Sequence, residues 1–280
     1  MKKILALVLA LALMVACFAG CGEKKAVVKV IDINLTEEEY AFGVDKNQPE
    51  LLTKVNDFIA KIKGDGTFDA ICEKYFGDGT PTAVVSAVED ESKDQLVVAT
   101  NAQFEPFEYK VGDSYYGIDM EIAKLLADHL GKELVIKDMD FEAVCISVGQ
   151  HKCDIAMAGL TIAEDRKEHV TFSTSYYTAN QKLIVKSDDT TFDECETVKD
   201  VEAKLNAMDK NTVIGYQNGT TGGLYVVGDA DWGFAGYKVT AKGYGSGSLA
   251  VQDLINGNVD YVVIDSDPAK FITEAINEAA

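Results

Sequence analysis

Apolar and polar residues follow two rhythms along this chain. Short apolar runs read as strands: AVVKVIDI over 26–33, Tyr40 to Val44, LVVAT over 96–100, ELVIK over 133–137, DIAMA over 154–158, LIV over 183–185, TVIGY, and VDYVVI over 259–264. Between them apolar residues recur at helical spacing. Leu51, Leu52, Val55, Phe58, Ile59 and Ile62 form one such face ending at Gly64, and a short amphipathic piece from Ile71 to Phe76 closes at Gly77. Ile122, Leu125, Leu126 and Leu130 predict a helix stopped by Gly131, and others start near Phe141, cover Val198, Val201, Leu205 and Met208, and run near Leu249 to Ile255. A Gly-rich turn is expected at Gly219 to Gly223. The stretch from Asp78 to Asp94 mixes turn residues, small residues and charge, and reads as a linker.

Strands alternating with amphipathic helices predict an α/β protein of mostly parallel sheets with helices on both faces. The pattern runs through twice, which predicts two α/β units with a cleft between them, its ligand site at the carboxyl ends of strands. The first residues follow another logic. Lys2 and Lys3 precede an apolar run from Ile4 to Ala19, in the order of an export signal over residues 1–20. Phe18-Ala19-Gly20-Cys21 resembles a bacterial lipobox, with Met14-Val15-Ala16-Cys17 as a weaker second candidate. That resemblance implies lipidation at Cys21 and an extracytoplasmic, membrane-anchored domain.

Composition narrows the choice of partner. The chain of 280 residues carries 26 Lys+Arg against 46 Asp+Glu, a net charge of -20, which argues against a nucleic-acid binder. Cys72, Cys145, Cys153 and Cys195 show no CxxC spacing; a Cys145–Cys153 disulfide is conceivable, and no metal or cofactor is expected, the neighbours His151, Cys153 and Asp154 being scattered by the local backbone. All but one of the basic residues are lysines, the exception being Arg166. A guanidinium grips a carboxylate with two parallel hydrogen bonds, which an ammonium cannot do.

Three strand ends carry the candidate chemistry. After DIAMA, which ends at Ala158, comes Gly159-Leu160-Thr161-Ile162-Ala163-Glu164-Asp165-Arg166; Thr161 and Glu164 have capping-box spacing, so a helix is expected to start at Thr161 and attract an anion that Arg166 then grips. Gln217-Asn218-Gly219-Thr220-Thr221 offers hydroxyls and flexible backbone, without the Lys of a phosphate loop. Asp265, after an apolar strand, suits an ammonium, or alternatively caps the helix that Pro268 helps to start. Guanidinium, hydroxyl-rich turn and aspartate together complement a zwitterion, and Phe104 and Phe141, each just past a strand, are placed to hold a ligand side chain.

The segments ATNAQFEPFEY at 99–109, YYGIDMEIAKLLADHLG at 115–131, MDFEAV at 139–144 and DIAMAGLTIAEDRKEHVTFSTSYY at 154–177, continued by IGYQNGTTGG and NGNVDYVVID, resemble bacterial solute-binding protein family 3, the amino-acid-binding receptors of ABC transporters. The resemblance implies the two-lobed type II periplasmic-binding-protein fold and a monomeric, non-enzymatic receptor that closes on a free amino acid and hands it to a membrane permease. It implies Arg166, Thr161 and Thr221 around the α-carboxylate, with Thr220 and Ala158 among the other ligand-binding residues. It further implies Asp265 and the Gly159 carbonyl around the α-ammonium, Phe104 and Phe141 on the side chain, and Asn101 and Gln217 at its polar end. The family often has Asp where Asn101 stands, so a fixed negative partner for a cationic side chain is missing there. Glutamine, arginine and lysine are the leading ligands.

The order of segments departs from the family. Residues 28–77 resemble the family's C-terminal end yet come first, which predicts a circular permutation with 78–94 bridging the old termini. Lobe 1 is then continuous over 40–181, lobe 2 combines 26–36 with 182–280, and the hinge crossings fall near Leu35–Tyr40 and Gln181–Val185. The rival reading makes 26–77 an appended module. For function, the rivals are a dehydratase-like enzyme on a small carboxylate, for which only Asp265 qualifies as an acid or base, and a ligand-sensing domain docking a signalling partner.

Overall fold

A computed structural model describes residues 26–280, so the expected signal segment over 1–20 and the lipidation site Cys21 lie outside the described residues. The chain opens with strands β1 (Val28–Ile31), β2 (Glu38–Tyr40) and β3 (Gly43–Asp45) and helices α1 (Pro49–Gly64) and α2 (Thr67–Phe76). It continues through β4 (Gln95–Thr100), β5 (Gln103–Phe104), β6 (Glu108–Val111), β7 (Ser114–Tyr116), α3 (Ile118–Leu130), β8 (Glu133–Asp138), α4 (Phe141–Gly149), β9 (Ile155–Ala156), α5 (Glu164–Lys167), β10 (Val170–Phe172) and β11 (Tyr177–Ala179). The remainder comprises β12 (Gln181–Lys186), α6 (Val198–Asn206), β13 (Val213–Gln217), α7 (Thr221–Val227), β14 (Thr240–Tyr244), α8 (Gly247–Asn256), β15 (Tyr261–Asp265) and α9 (Ser266–Ala279).

Two five-stranded sheets organise these elements, in the orders β10-β3-β9-β4-β8 and β1-β12-β15-β13-β14. Each reads, in that order, as two antiparallel pairings followed by two parallel ones, where mostly parallel sheets were expected. The physical reason lies in how strands arrive. Helix crossovers make neighbours parallel, whereas β3, β10, β1 and β12 adjoin extended crossings and carry no such constraint. Alternation then divides each strand between two cores: Leu183 and Val185 face the cluster of Val201, Leu205 and Ile214, while Ile184 faces Ala250, Val251 and Leu254.

The sheets are joined by a two-stranded ribbon in which β11 pairs antiparallel with β2, Tyr177 opposite Tyr40 and Ala179 opposite Glu38. The ribbon strands lie at 38–40 and 177–179, Gln181 already belonging to β12. The stretch from 78 to 94 is docked rather than loose. Val84 bridges to Tyr115, the Ala87 N–H donates to the Leu134 carbonyl at 2.8 Å, and Ser86 Oγ accepts from the Ile136 N–H at 2.9 Å, so the segment covers the outer edge of β8. At the other extreme, Asn277 on α9 accepts from the Val27 N–H at 2.7 Å and donates to the Val28 carbonyl at 2.9 Å, holding the end of α9 against the start of β1. Cys145 and Cys153, buried in one apolar cluster, are free thiols, as are Cys72 and Cys195. His151 pairs with Asp45 at 2.8 Å while Asp154 accepts from the Val97 N–H at 2.8 Å, so these sequence neighbours face different partners.

Candidate functional site

The strand ends converge at the seam between the sheets. Asn101 follows β4, Ala158 to Thr161 follow β9, Gln217 ends β13 and Asp265 ends β15. Arg166 lies on α5 and is only 8% exposed. Its Nη1 donates to the Thr161 carbonyl at 2.8 Å and its Nη2 to the Gly219 carbonyl at 2.8 Å, so the guanidinium reaches from one half to the loop after β13 in the other. Its central carbon sits 5.1 Å from the centre of the Phe141 ring, a cation–π contact.

Thr161 departs from the expected cap. The helix starts at Glu164 after an Ala163 that makes no side-chain cap bond, and is a single turn. Thr161 instead bridges Tyr40 in extended backbone, and its Oγ1 donates to Glu38 Oε2 at 2.8 Å. A buried carboxylate is a stronger acceptor than any local alternative for that hydroxyl. The anion-attracting helix end is therefore absent, and positive charge comes from Arg166 alone among the residues proposed for this site. Thr220 Oγ1 donates to the Gln217 carbonyl at 2.7 Å, and Thr221 opens α7. The expected turn over Gly219–Gly223 is thus shorter: Gly222 and Gly223 lie in the first turn of α7, where a Cβ would meet Gln181 Oε1 at 2.7 Å and the Tyr216 ring at 2.7 Å.

Asp265 accepts from the Tyr40 hydroxyl and makes no cap bond to α9, so of the two roles left open the side chain does not take the cap. Burial, then the nearby charge of Glu38, pushes its carboxyl up to about 7. Gln217 Nε2 donates to Asn101 Oδ1 at 3.1 Å and Asn101 Nδ2 to the Met139 carbonyl at 2.8 Å, linking the halves a second time. Phe104 is buried, stacked on Phe107 at 6.0 Å, and Phe141 is half-buried. Ala158 is buried and leads into Gly159, whose φ of +52° is a left-handed conformation. A Cβ there would sit 2.9 Å from the Phe104 ring. Gly159→Ala is expected to cost about 1–3 kcal/mol of stability, measurable as a shift of the urea midpoint at constant slope.

Sequence reasoning passed over several residues that the fold brings here. Tyr40 and Glu38 sit on the ribbon strand β2, and Tyr176, just before β11, donates from its hydroxyl to Asp119 Oδ1 at 2.6 Å. Glu108 on β6, opposite Phe104, is fully buried, and neither carboxylate oxygen has a hydrogen-bond partner among the described residues. Burial, reinforced by the charges of Asp119, Asp265 and Asp138, drives its carboxyl well above the ordinary range. A signal was present: this acid follows Phe104 and Phe107 in an aromatic-rich run, where a solvated charge is out of place.

Comparison with known proteins bears on this geometry. The sequence profile of the bacterial extracellular solute-binding proteins, family 3, matches residues 7–78 and 96–227. The arginine-binding extracellular protein ArtP of Bacillus subtilis (strain 168) is 36% identical over 115 residues, 41% of this chain and 44% of that protein. The arginine-binding periplasmic protein of Mannheimia haemolytica is 26% identical over 172 residues, 61% of this chain and 63% of that protein. The chain thus spans less than two thirds of the length of these curated relatives. Among solved structures, an ancestral arginine-binding protein bound to arginine superposes with a TM-score of 0.56 at 31% identity, covering 67% of this chain and 76% of that one. Two mixed sheets joined by a ribbon form the type II periplasmic-binding-protein architecture of such structures, and the chain belongs to the bacterial extracellular solute-binding proteins, family 3.

Proposed function

We propose that this chain is an extracytoplasmic receptor for a cationic amino acid, arginine foremost, which it passes to an ABC permease. The observation that carries the reading is Glu108: a buried carboxyl without a partner among the described residues, beside a constellation suited to a zwitterion. It supplies the negative charge that Asn101 lacks. Arg166 with Thr161, Thr220 and Thr221 takes the α-carboxylate, Asp265 and the Ala158–Gly159 backbone take the α-ammonium, Phe104 and Phe141 flank the side chain, and Asn101, Gln217 and Glu108 receive its end. The names of the relatives, which bind arginine, point the same way. Micromolar affinity requires about -8.2 kcal/mol, within reach of these contacts after ordering costs.

A thermal-shift screen against free amino acids tests the reading, with arginine and lysine expected to raise the midpoint more than glutamine. Glu108→Gln should remove that preference, lowering arginine affinity about 10- to 100-fold, the 1.5–3 kcal/mol of a charge-assisted bond, while sparing glutamine. A wild-type chain that prefers neutral ligands would overturn the assignment. Unchanged arginine after long incubation with the protein is the result expected of a receptor rather than an enzyme.

Acidity should move stability and affinity in opposite directions. Burial raises the Asp119 and Asp265 carboxyls from 3.8 to about 7, so the folded chain holds protons that the unfolded chain has released. That stabilising contribution is complete below about pH 4 and is lost as pH rises through about 7. Arginine, in contrast, needs Asp265 ionised, so its affinity rises over the same window. Unfolding curves without ligand and calorimetric titrations at pH 5, 6, 7 and 8 would reveal a common slope if this is wrong.

The two halves act as lobes, 40–181 and 26–36 plus 182–280, closing about the β2–β11 ribbon. A circularly permuted order of segments is supported by the apposition of α9 and β1 through Asn277. Among the described residues no helix is long and apolar enough to cross a membrane, and attachment through lipidated Cys21 after removal of 1–20 completes the reading. Cys21→Ser should release the protein from cells into the medium.

A further inference from the structure

Asp119, the second residue of α3, is fully buried, and no basic side chain hydrogen-bonds it. Oδ2 accepts from the Gly159 N–H at 2.9 Å and Oδ1 from the Tyr176 hydroxyl at 2.6 Å. Around it Ile118, Met120, Ile122 and Ala123 are buried as well, so the helix here packs as an apolar element in which an unpaired carboxylate is an expense. A neutral side chain of the same shape would serve packing equally. The charge calls for a different explanation.

Both of its bonds lead to functional parts. Gly159 is the left-handed residue of the loop after β9, held between this carboxylate and the Phe104 ring, and its N–H has a fixed partner only in Asp119. Tyr176 immediately precedes the ribbon strand β11 and stacks on Phe42 at 4.4 Å. The Tyr40 ring, on the opposing ribbon strand, lies 3.4 Å from where a Gly159 Cβ would be, and its hydroxyl donates to Asp265. Loop, ribbon and Asp265 are therefore connected through one buried acid and two tyrosines.

We infer that Asp119 is a positioning residue: without touching the ligand, it fixes the Gly159 peptide that faces the ligand's ammonium and ties that peptide to the hinge ribbon through Tyr176. This rests on the receptor reading given above. An anchored donor holds the loop at one φ, so the Ala158–Gly159 backbone that meets the ammonium needs no reorganisation on binding, and the peptide hydrogen-bonded to the carboxylate is polarised toward its own oxygen, that of Ala158.

Isothermal titration with L-arginine, paired with thermal unfolding of the ligand-free chain at pH 8, tests the inference on the wild-type protein, Asp119→Asn and Tyr176→Phe. Asp119→Asn should bind about tenfold more weakly or worse, on the scale of one charge-assisted bond, while its ligand-free midpoint stays level or rises because a buried charge has gone. Amide exchange at Gly159 should quicken in the same variant. Tyr176→Phe, which leaves the Gly159 bond in place, should weaken binding less. Equal affinity in all three proteins overturns the inference and leaves the receptor reading intact. So does a parallel fall of affinity and midpoint, the mark of a role in folding alone. A wild-type chain that binds no free amino acid sinks the receptor reading, and the anchor with it.

Discussion

Deleting residues 26–77 is expected to abolish folding, seen as loss of the cooperative thermal transition and of every ligand-induced shift. The segment is woven through both halves. β3 lies inside the first sheet, paired on one side with β10 and on the other with β9, so its removal splits that sheet and exposes two new edges. α1 and α2 bury Val55, Phe58, Ile59, Ile62, Phe68, Ile71 and Tyr75 against it. At about 1.5–3 kcal/mol for each large apolar side chain, that loss alone reaches the 5–15 kcal/mol by which domains are stable. β1 vanishes from the edge of the second sheet, and β2 takes with it half of the ribbon and the Tyr40 donor to Asp265. An appended module would instead leave a stable remainder. The complementary variant sharpens the choice: a chain reordered as 78–280 followed by 26–77 should fold and bind arginine with similar affinity, because Asn277 already holds Val27 and Val28 within hydrogen-bond reach. A reordered chain that stays unfolded would remove the support for permutation.

The elements that local physics dictates were legible. α3 follows from apolar spacing and from Gly131, which closes it in the left-handed conformation with φ +73°. β4, β8, β12 and β15 follow from apolar runs, and the gathering of Asn101, Gly159, Arg166, Gln217 and Asp265 at one seam follows from their places at strand ends. What failed was the choice of partner over distance. Thr161 has the spacing of a capping residue, but its hydroxyl goes to Glu38, 123 positions away, and no local rule reports that competitor. Asp119 looks like an ordinary acid in the first turn of a helix, where the dipole favours it; only the tertiary fold places Gly159 and Tyr176 on its two oxygens. Sheet direction was misjudged for a related reason, since an apolar run encodes burial on two faces and not the sense of its neighbour.

Arg166→Ala is expected to eliminate measurable binding of any free amino acid. Two charge-assisted hydrogen bonds to an α-carboxylate, at about 1.5–3 kcal/mol each, correspond to roughly 10²–10⁴ in affinity, enough to carry a micromolar ligand beyond the range of calorimetry. The same guanidinium now donates to the Thr161 and Gly219 carbonyls from a nearly buried position, so the alanine variant also strands those acceptors and removes a bond between the halves. Ligand-free stability should therefore fall modestly while ligand response disappears, and the two effects separate in thermal unfolding with and without about 10 μM arginine, a roughly tenfold excess over a micromolar Kd. Arg166→Lys adds the discriminating case. An ammonium can restore charge and one contact but not the planar fork, nor the stacking on Phe141 in the same form, so lysine should recover part of the stability and little of the affinity. Glu108→Gln, in contrast, leaves the carboxylate clamp intact and changes only which side chains are accepted. Full affinity in both Arg166 variants would mean that the α-carboxylate is held elsewhere, and the polarity assigned to the whole site, cationic at Arg166 and anionic at Asp265 and Glu108, would have to be reversed or abandoned.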